Sequence, residues 1–237
     1  MLYWEYYLAG IVLIPGIIFS IYASFKVRSS FTKYSRVYSR SGMTGAQVAR
    51  RLLESAGLHD VGVLRTSGHL TDHYDPRSRT LSLSDSVHDS TSVAAIGVAA
   101  HEVGHALQHD KNYVPLKMRS AIVPMVNFSS RMLMPIVFLG LFFSFLIENP
   151  LVSDVVFLAG IAVFGITLLL TLITLPVEFN ASRRAREILV RDDILGRDEA
   201  AQAKSVLSAA ALTYVASFLM ALLSLLRFIL VFNRRRR

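Results

Sequence analysis

Four apolar runs constrain this chain more than any other feature: residues 8–25, 132–147, 155–177 and 205–226, of 18, 16, 23 and 22 residues, none carrying a charge. A bilayer core takes about 20 helical residues to cross, so each run is long enough, or nearly so, to span it. Only 18% of the 237 residues are charged and 53% are hydrophobic. A disordered or collagenous chain could not carry that load. The absence of cysteine excludes disulfide frameworks, Cys-type zinc fingers and iron–sulfur clusters. A cleaved signal peptide opens with positive charge, but Glu5 is the only charge before the first run, which therefore reads as a retained anchor.

The net charge of +8 is placed around the apolar runs. Seven Lys/Arg and no acid lie between Lys26 and Arg51, and Arg234 to Arg237 follow the last run. Such flanking charge sets topology or meets anionic headgroups, and with no nucleic-acid motif beside it, nucleic-acid binding is not expected. The positive-inside rule puts the first basic stretch in the cytoplasm. The link bearing Glu148 and Asp154 has no basic residue and belongs outside. The stretch from Arg183 to Lys204 has six basic residues and belongs inside. A fourth full crossing would put the arginine tail outside, against the rule, so the topology of the last helix stays open.

The chain thus divides into an anchor helix (1–25), a soluble cytoplasmic island (26–131), a transmembrane hairpin (132–177), a cytoplasmic helix (178–204) and a last membrane helix with its basic tail (205–237). Within the island, residues 44–56 show helical spacing, with Val48, Leu52 and Leu53 apolar and Gly57 closing. Residues 61–64 and 80–83 predict short strands, the second alternating Leu81 and Leu83 with serines. From Ser92 to about His109 the pattern predicts a helix, with Asp89, Ser90 or Thr91 as its N-cap.

That helix carries His101-Glu102-Val103-Gly104-His105, the H-E-x-x-H pattern. Histidines at i and i+4 share one helical face, so both imidazoles can reach one zinc ion. Glu102 can then take the proton of a water that zinc acidifies. The buried-helix context, Val93 to Ala100, argues against a chance match. A catalytic zinc keeps three protein ligands. His109 fails as the third, because two turns of helix, about 12 Å, separate it from His101. Gln108 and Lys111 stand where a metzincin continuation needs Gly and His. His69 and His73, in the loop before the second strand, remain candidates. A glutamate from a later helix is the other arrangement. Glu178 fits it, emerging after the third run on the cytoplasmic side, where Pro176 can begin a helical turn. Glu187 and Glu199 compete in the same segment. An interfacial carboxylate paired with Arg183 or Arg184 is the bland alternative for Glu178.

These residues resemble a known family. The run from Leu70 to Gln108 (LTDHYDPRSRTLSLSDSVHDSTSVAAIGVAAHEVGHALQ), the segment LPVEFNASRRA from Leu175 to Ala185, and the stretch around Leu212 to Ala216 are similar to YugP-like neutral zinc metallopeptidases of bacterial membranes. More distantly, the layout resembles HtpX-type and CAAX-prenyl-type membrane proteases. The resemblance implies a mostly α membrane protein, with about four membrane helices and a small α+β zincin-like metalloprotease domain. It implies zinc held by His101, His105 and Glu178 in a gluzincin-type site, with Glu102 as general base. Two departures stand out. Ser182 replaces the Asp of the distant relatives' E-x-x-x-D, a partner to a zinc histidine, and Asn180 replaces an Asp expected in closer ones.

The function expected is a zinc metalloendopeptidase of the bacterial plasma membrane, acting at the cytoplasmic face on peptides or membrane proteins amid membrane lipid. The alternative is a membrane scaffold that retains a zinc site with weak or no activity. Two further expectations follow. The strand from Arg79 to Ser84 should be an exposed edge that pairs with substrate. Tyr214, near the cytoplasmic start of the fourth run, is a candidate oxyanion donor, with an interfacial aromatic anchor as its competing role.

Overall fold

The computed structural model describes residues 10–146 and 150–235. After helix α1 (Ile14–Tyr34), the polar island opens with α2 (Gly45–Ser55). Thr44 caps α2 in a reciprocal box: its side chain accepts from the Gln47 N–H, and Gln47 Oε1 accepts from the Thr44 N–H. That satisfies two of the donors a helix start leaves unpaired. Val48, Ala49, Leu52 and Leu53 are buried along one face. Gly57, at φ +74°, takes the left-handed turn that ends the helix.

A three-stranded sheet follows, made of β1 (Gly62–Thr66), β2 (His73–Asp75) and β3 (Thr80–Ser84). Its order is β1-β3-β2, with β1 parallel and β2 antiparallel to β3. Leu81 and Leu83 are buried, as their alternation predicts. The expectation of β3 as an exposed edge is overturned. β3 is the central strand, with Leu81 facing Val63 on one side and Tyr74 on the other, so both flanks already have partners. The strand that covers it, β2, holds only His73, Tyr74 and Asp75, too short a run to show apolar alternation, with only Tyr74 packed against the core. Asp72 secures the crossing by accepting from both the N–H and the hydroxyl of Ser84, at 2.7 and 2.9 Å.

A single turn, α3 (Asp85–His88), leads to α4 (Val93–Asp110). The N-cap of α4 is Ser92, whose hydroxyl accepts from the Ala95 N–H at 3.2 Å. Asp89, Ser90 and Thr91 are not the cap, because they are engaged elsewhere. Asp89 pairs with Arg65 and His88, and the Ser90 and Thr91 carbonyls accept from the Gly45 and Ser39 N–H groups. The small residues of VAAIGVAA let α4 be surrounded by neighbours.

Three long helices complete the chain: α5 (Val114–Leu146), α6 (Pro150–Arg191) and α7 (Arg197–Arg235). Pro176 lies inside α6 and does not begin a new helix, so Glu178 belongs to the same helix as the third apolar run. The chain forms two compact units, one of Met1–Ile21, Lys117–Thr174 and Tyr214–Arg237, the other of Tyr22–Leu116 and Leu175–Thr213. In the second unit, Leu52, Leu81, Leu83, Ile96, Val103 and Leu189 are fully or almost fully buried. Each contributes about 1.5–3 kcal/mol relative to exposure.

The first unit leaves apolar side chains outside, among them Ile18, Ile21, Phe128 and Leu158. Among the described residues, two helices are long and apolar enough to cross a membrane, Asp154–Arg191 and Arg197–Val231. Only 17% and 11% of their most apolar windows are buried. A core helix of a water-soluble protein would bury most of that surface, so exposure on this scale favours lipid as the neighbour. The expected first and second runs reach beyond the described residues at 8–9 and 147, as do the polar link at 148–149 and the tail at 236–237.

Candidate metal centre

One turn of α4 sets His101 and His105 with ring centroids 4.8 Å apart and nearly perpendicular. The carboxylate that meets them comes from α6. Glu178 Oε2 lies 3.2 Å from His101 Nε2 and 3.5 Å from His105 Nε2. Tetrahedral zinc with bonds near 2.0–2.1 Å separates its ligand atoms by about 3.3 Å, so this spacing suits the ion. One ligand atom from each of the three residues lies within 4.8 Å of the others. Glu178 is 1% exposed. A carboxylate so buried needs a cation or a proton beside it, and two borderline imidazoles with one carboxylate make a donor set that zinc takes.

The approach of α6 depends on a small residue within the motif. A Cβ built on Gly104 would stand 2.6 Å from the Ala181 carbonyl oxygen. Glycine there lets the α6 backbone come close three residues after Glu178. Ala181 and Ala185 are buried on the same side.

Both histidines turn Nε2 toward Glu178 and Nδ1 away from it. His101 Nδ1 is 3.1 Å from Ser182 Oγ, and His105 Nδ1 is 3.1 Å from Gln108 Oε1. Ser182 therefore stands at the nitrogen of His101 that faces away from Glu178. Asn180 meets the cluster through Gln108. Its Oδ1 accepts from Gln108 Nε2 at 3.1 Å and from Arg184 Nε at 2.8 Å. Gln108, wholly buried, entered the sequence reading only as the residue that rules out a metzincin. Its place three residues after His105 on a helix buried on most sides was the available signal.

Burial alone would hold His105 neutral, but the hydrogen bond and charge of Glu178, with the charge of Glu102, raise its pKa above the ordinary histidine value. The pocket thus favours positive charge among these side chains. Glu102 is 7% exposed and has no hydrogen-bond or ion-pair partner among the described residues. Its carboxylate stays available next to the first histidine of the pair.

The competing ligands lie elsewhere. His69 packs edge-on against Phe31, and His73, the first residue of β2, bonds through Nδ1 to the Thr71 carbonyl in the loop before it. His109 bonds the Tyr74 hydroxyl at 2.9 Å. Glu187 is exposed beside Arg183. Glu199 is buried but accepts from the Arg40 and Gly196 N–H groups, joining the loop after α1 to the start of α7. Tyr214 belongs to the other compact unit.

Comparison with known proteins agrees with the chemistry of this cluster. The chain matches the family described as "Putative neutral zinc metallopeptidase" over residues 9–233. It is 48% identical over 214 residues to the "Putative membrane protease YugP" of Bacillus subtilis (strain 168), covering 90% of this chain and 91% of that protein. No solved structure matches it. With nearly the whole chain matched, and a His-His-Glu cluster suited to zinc at its centre, the protein belongs to the neutral zinc metallopeptidase family.

Proposed function

We propose that this protein is a multi-pass zinc endopeptidase of the bacterial plasma membrane, of gluzincin type, which hydrolyses peptide bonds at the cytoplasmic face. The observation that carries this reading is Glu102, a residue 7% exposed whose carboxylate has no hydrogen-bond or ion-pair partner among the described residues, beside the cluster of His101, His105 and Glu178. A zinc site that only braced the fold would have no use for a base there, which favours the hydrolase over the scaffold.

Zinc held by His101, His105 and Glu178 would supply Lewis acidity, polarising the scissile carbonyl and acidifying a water. Glu102 takes the proton of the attacking water and delivers it to the departing amine nitrogen. Ser182 and Gln108 hold the two imidazoles in place. The proposed role of Tyr214 is to donate a hydrogen bond to the oxyanion; its support is its place in the sequence, near the cytoplasmic start of the fourth run. Turnover of Tyr214→Phe tests it, with a loss of about 100-fold expected from an oxyanion donor and almost none from an aromatic anchor.

The cytoplasmic assignment rests on charge. The basic stretches 26–51 and 183–204 belong to the same compact unit as the cluster. The proposed substrates are peptides and the tails or loops of membrane proteins near the lipid surface. Detergent-purified protein should cleave a disordered reporter polypeptide, lose that activity to a chelator and regain it with zinc. A reporter left intact by the zinc-loaded protein would contradict the proposal.

A further inference from the structure

We propose that Gln108, Asn180 and Arg184 form a hydrogen-bond relay that fixes the tautomer of His105, holding its Nε2 lone pair toward the metal. The inference rests on the zinc-peptidase reading above, and it makes Gln108 a positioning residue. It follows from which atoms can only donate and which can only accept.

The Gln108 side chain reaches the Val177 carbonyl oxygen at 2.7 Å. A carbonyl only accepts, so the amide nitrogen of Gln108 must face it. At the far end, Arg184 Nε lies 2.8 Å from the Asn180 amide. A guanidinium only donates, so the Asn180 oxygen must face Arg184, and the same oxygen takes the second N–H of Gln108 at 3.1 Å. Neither amide can be turned round without opposing two donors or two acceptors. Gln108 Oε1 is thereby left facing His105 Nδ1 at 3.1 Å, where it can only accept. His105 therefore carries a proton on Nδ1, and in the neutral ring Nε2, which faces Glu178, is the bare nitrogen a metal requires.

The relay also joins two parts of the site. Gln108 grips the ligand helix at His105 and the backbone of α6 at Val177, the residue before Glu178. His101 lacks such a constraint through Ser182, since a hydroxyl can donate or accept. A glutamine that merely filled space between two helices would need no fixed polarity toward the ligand.

The test measures zinc affinity by chelator competition, and the visible spectrum of the cobalt-substituted form, on full-length protein in detergent. The variants are Gln108→Met, which keeps the length and loses the acceptor, and Gln108→Glu, which keeps the length and an oxygen facing Nδ1. Gln108→Met should weaken zinc binding by about 10–100-fold and shift the cobalt bands, while Gln108→Glu stays within about threefold of wild type. Equal losses in both variants, or a folded Gln108→Met with wild-type affinity, would overturn the relay. If Gln108→Met does not fold, Gln108→Glu decides: affinity kept supports the relay, and a loss of about tenfold or more overturns it. Wild type that takes up no zinc, or Glu178→Ala that takes up as much, would sink the ligand assignment itself and the relay with it.

Discussion

Glu178 Oε2 lies 3.2 Å from His101 Nε2, although 77 residues separate the two in sequence. The contact joins a short helix of the polar island to a long helix whose first half is apolar enough to cross a membrane. Local helix geometry supplies the two histidines; only the tertiary fold supplies the carboxylate.

The first prediction follows from that division. Substituting Glu178 by Ala should lower zinc content from about one per chain to a small fraction, because a catalytic zinc depends on three protein ligands. Glu187→Ala and Glu199→Ala should keep their zinc, since one side chain is exposed and the other is committed to backbone N–H groups. Metal analysis of the three purified variants checks this, and full zinc in Glu178→Ala would refute the assignment.

Gly104→Ala should damage both stability and the site. The added Cβ would press on the Ala181 carbonyl oxygen, a backbone atom that cannot rotate away. Overpacking of this kind costs about 1–3 kcal/mol, and each kcal/mol lowers Tm by about 2–4 °C in a chain of this size. Thermal unfolding and zinc content should fall together; an unchanged Tm would mean that the helices are not this close.

Ser182 offers a change in either direction. Ser182→Ala removes the partner of His101 Nδ1 and should weaken zinc binding by about tenfold. Ser182→Asp puts a carboxylate at the same nitrogen, a stronger acceptor that raises imidazole basicity, and should tighten binding. Chelator competition ranks the three proteins, and the order Asp, Ser, Ala is expected.

The cytoplasmic orientation can be probed because the chain has no cysteine. A single cysteine in place of Glu54, an exposed position on α2, should react with a membrane-impermeant maleimide only after lysis. One in place of Asn149 should react in intact protoplasts. The reverse pattern would invert the proposed topology.

What the sequence made legible is what short-range physics governs. The helix over 44–56, the strands near 61–64 and 80–83 and the His101–His105 pair each follow from the spacing of a few neighbouring residues. β2 was hidden because three residues with a single apolar ring among them become a strand only when β3 offers them hydrogen bonds. The cap of α4 moved from the Asp89–Thr91 candidates to Ser92 because Ser90 and Thr91 bond the loop that precedes α2, a partner some 50 residues away. Gln108 was missed for a similar reason: its partners, Val177 and Asn180, lie some 70 residues downstream. Glu178 was legible only as one of three carboxylates, with Glu187 and Glu199, in the segment after the third apolar run; the choice among them needed the packing of α6 against α4.

The most direct test of the central claim is the turnover of a disordered reporter by zinc-loaded Glu102→Gln protein, measured beside wild type at equal zinc content. Glutamine keeps the shape of the side chain and cannot take a proton. The account predicts cleavage reduced by about 10²–10⁴-fold with about one zinc per chain retained. Cleavage within about tenfold of wild type by the zinc-loaded variant would contradict it.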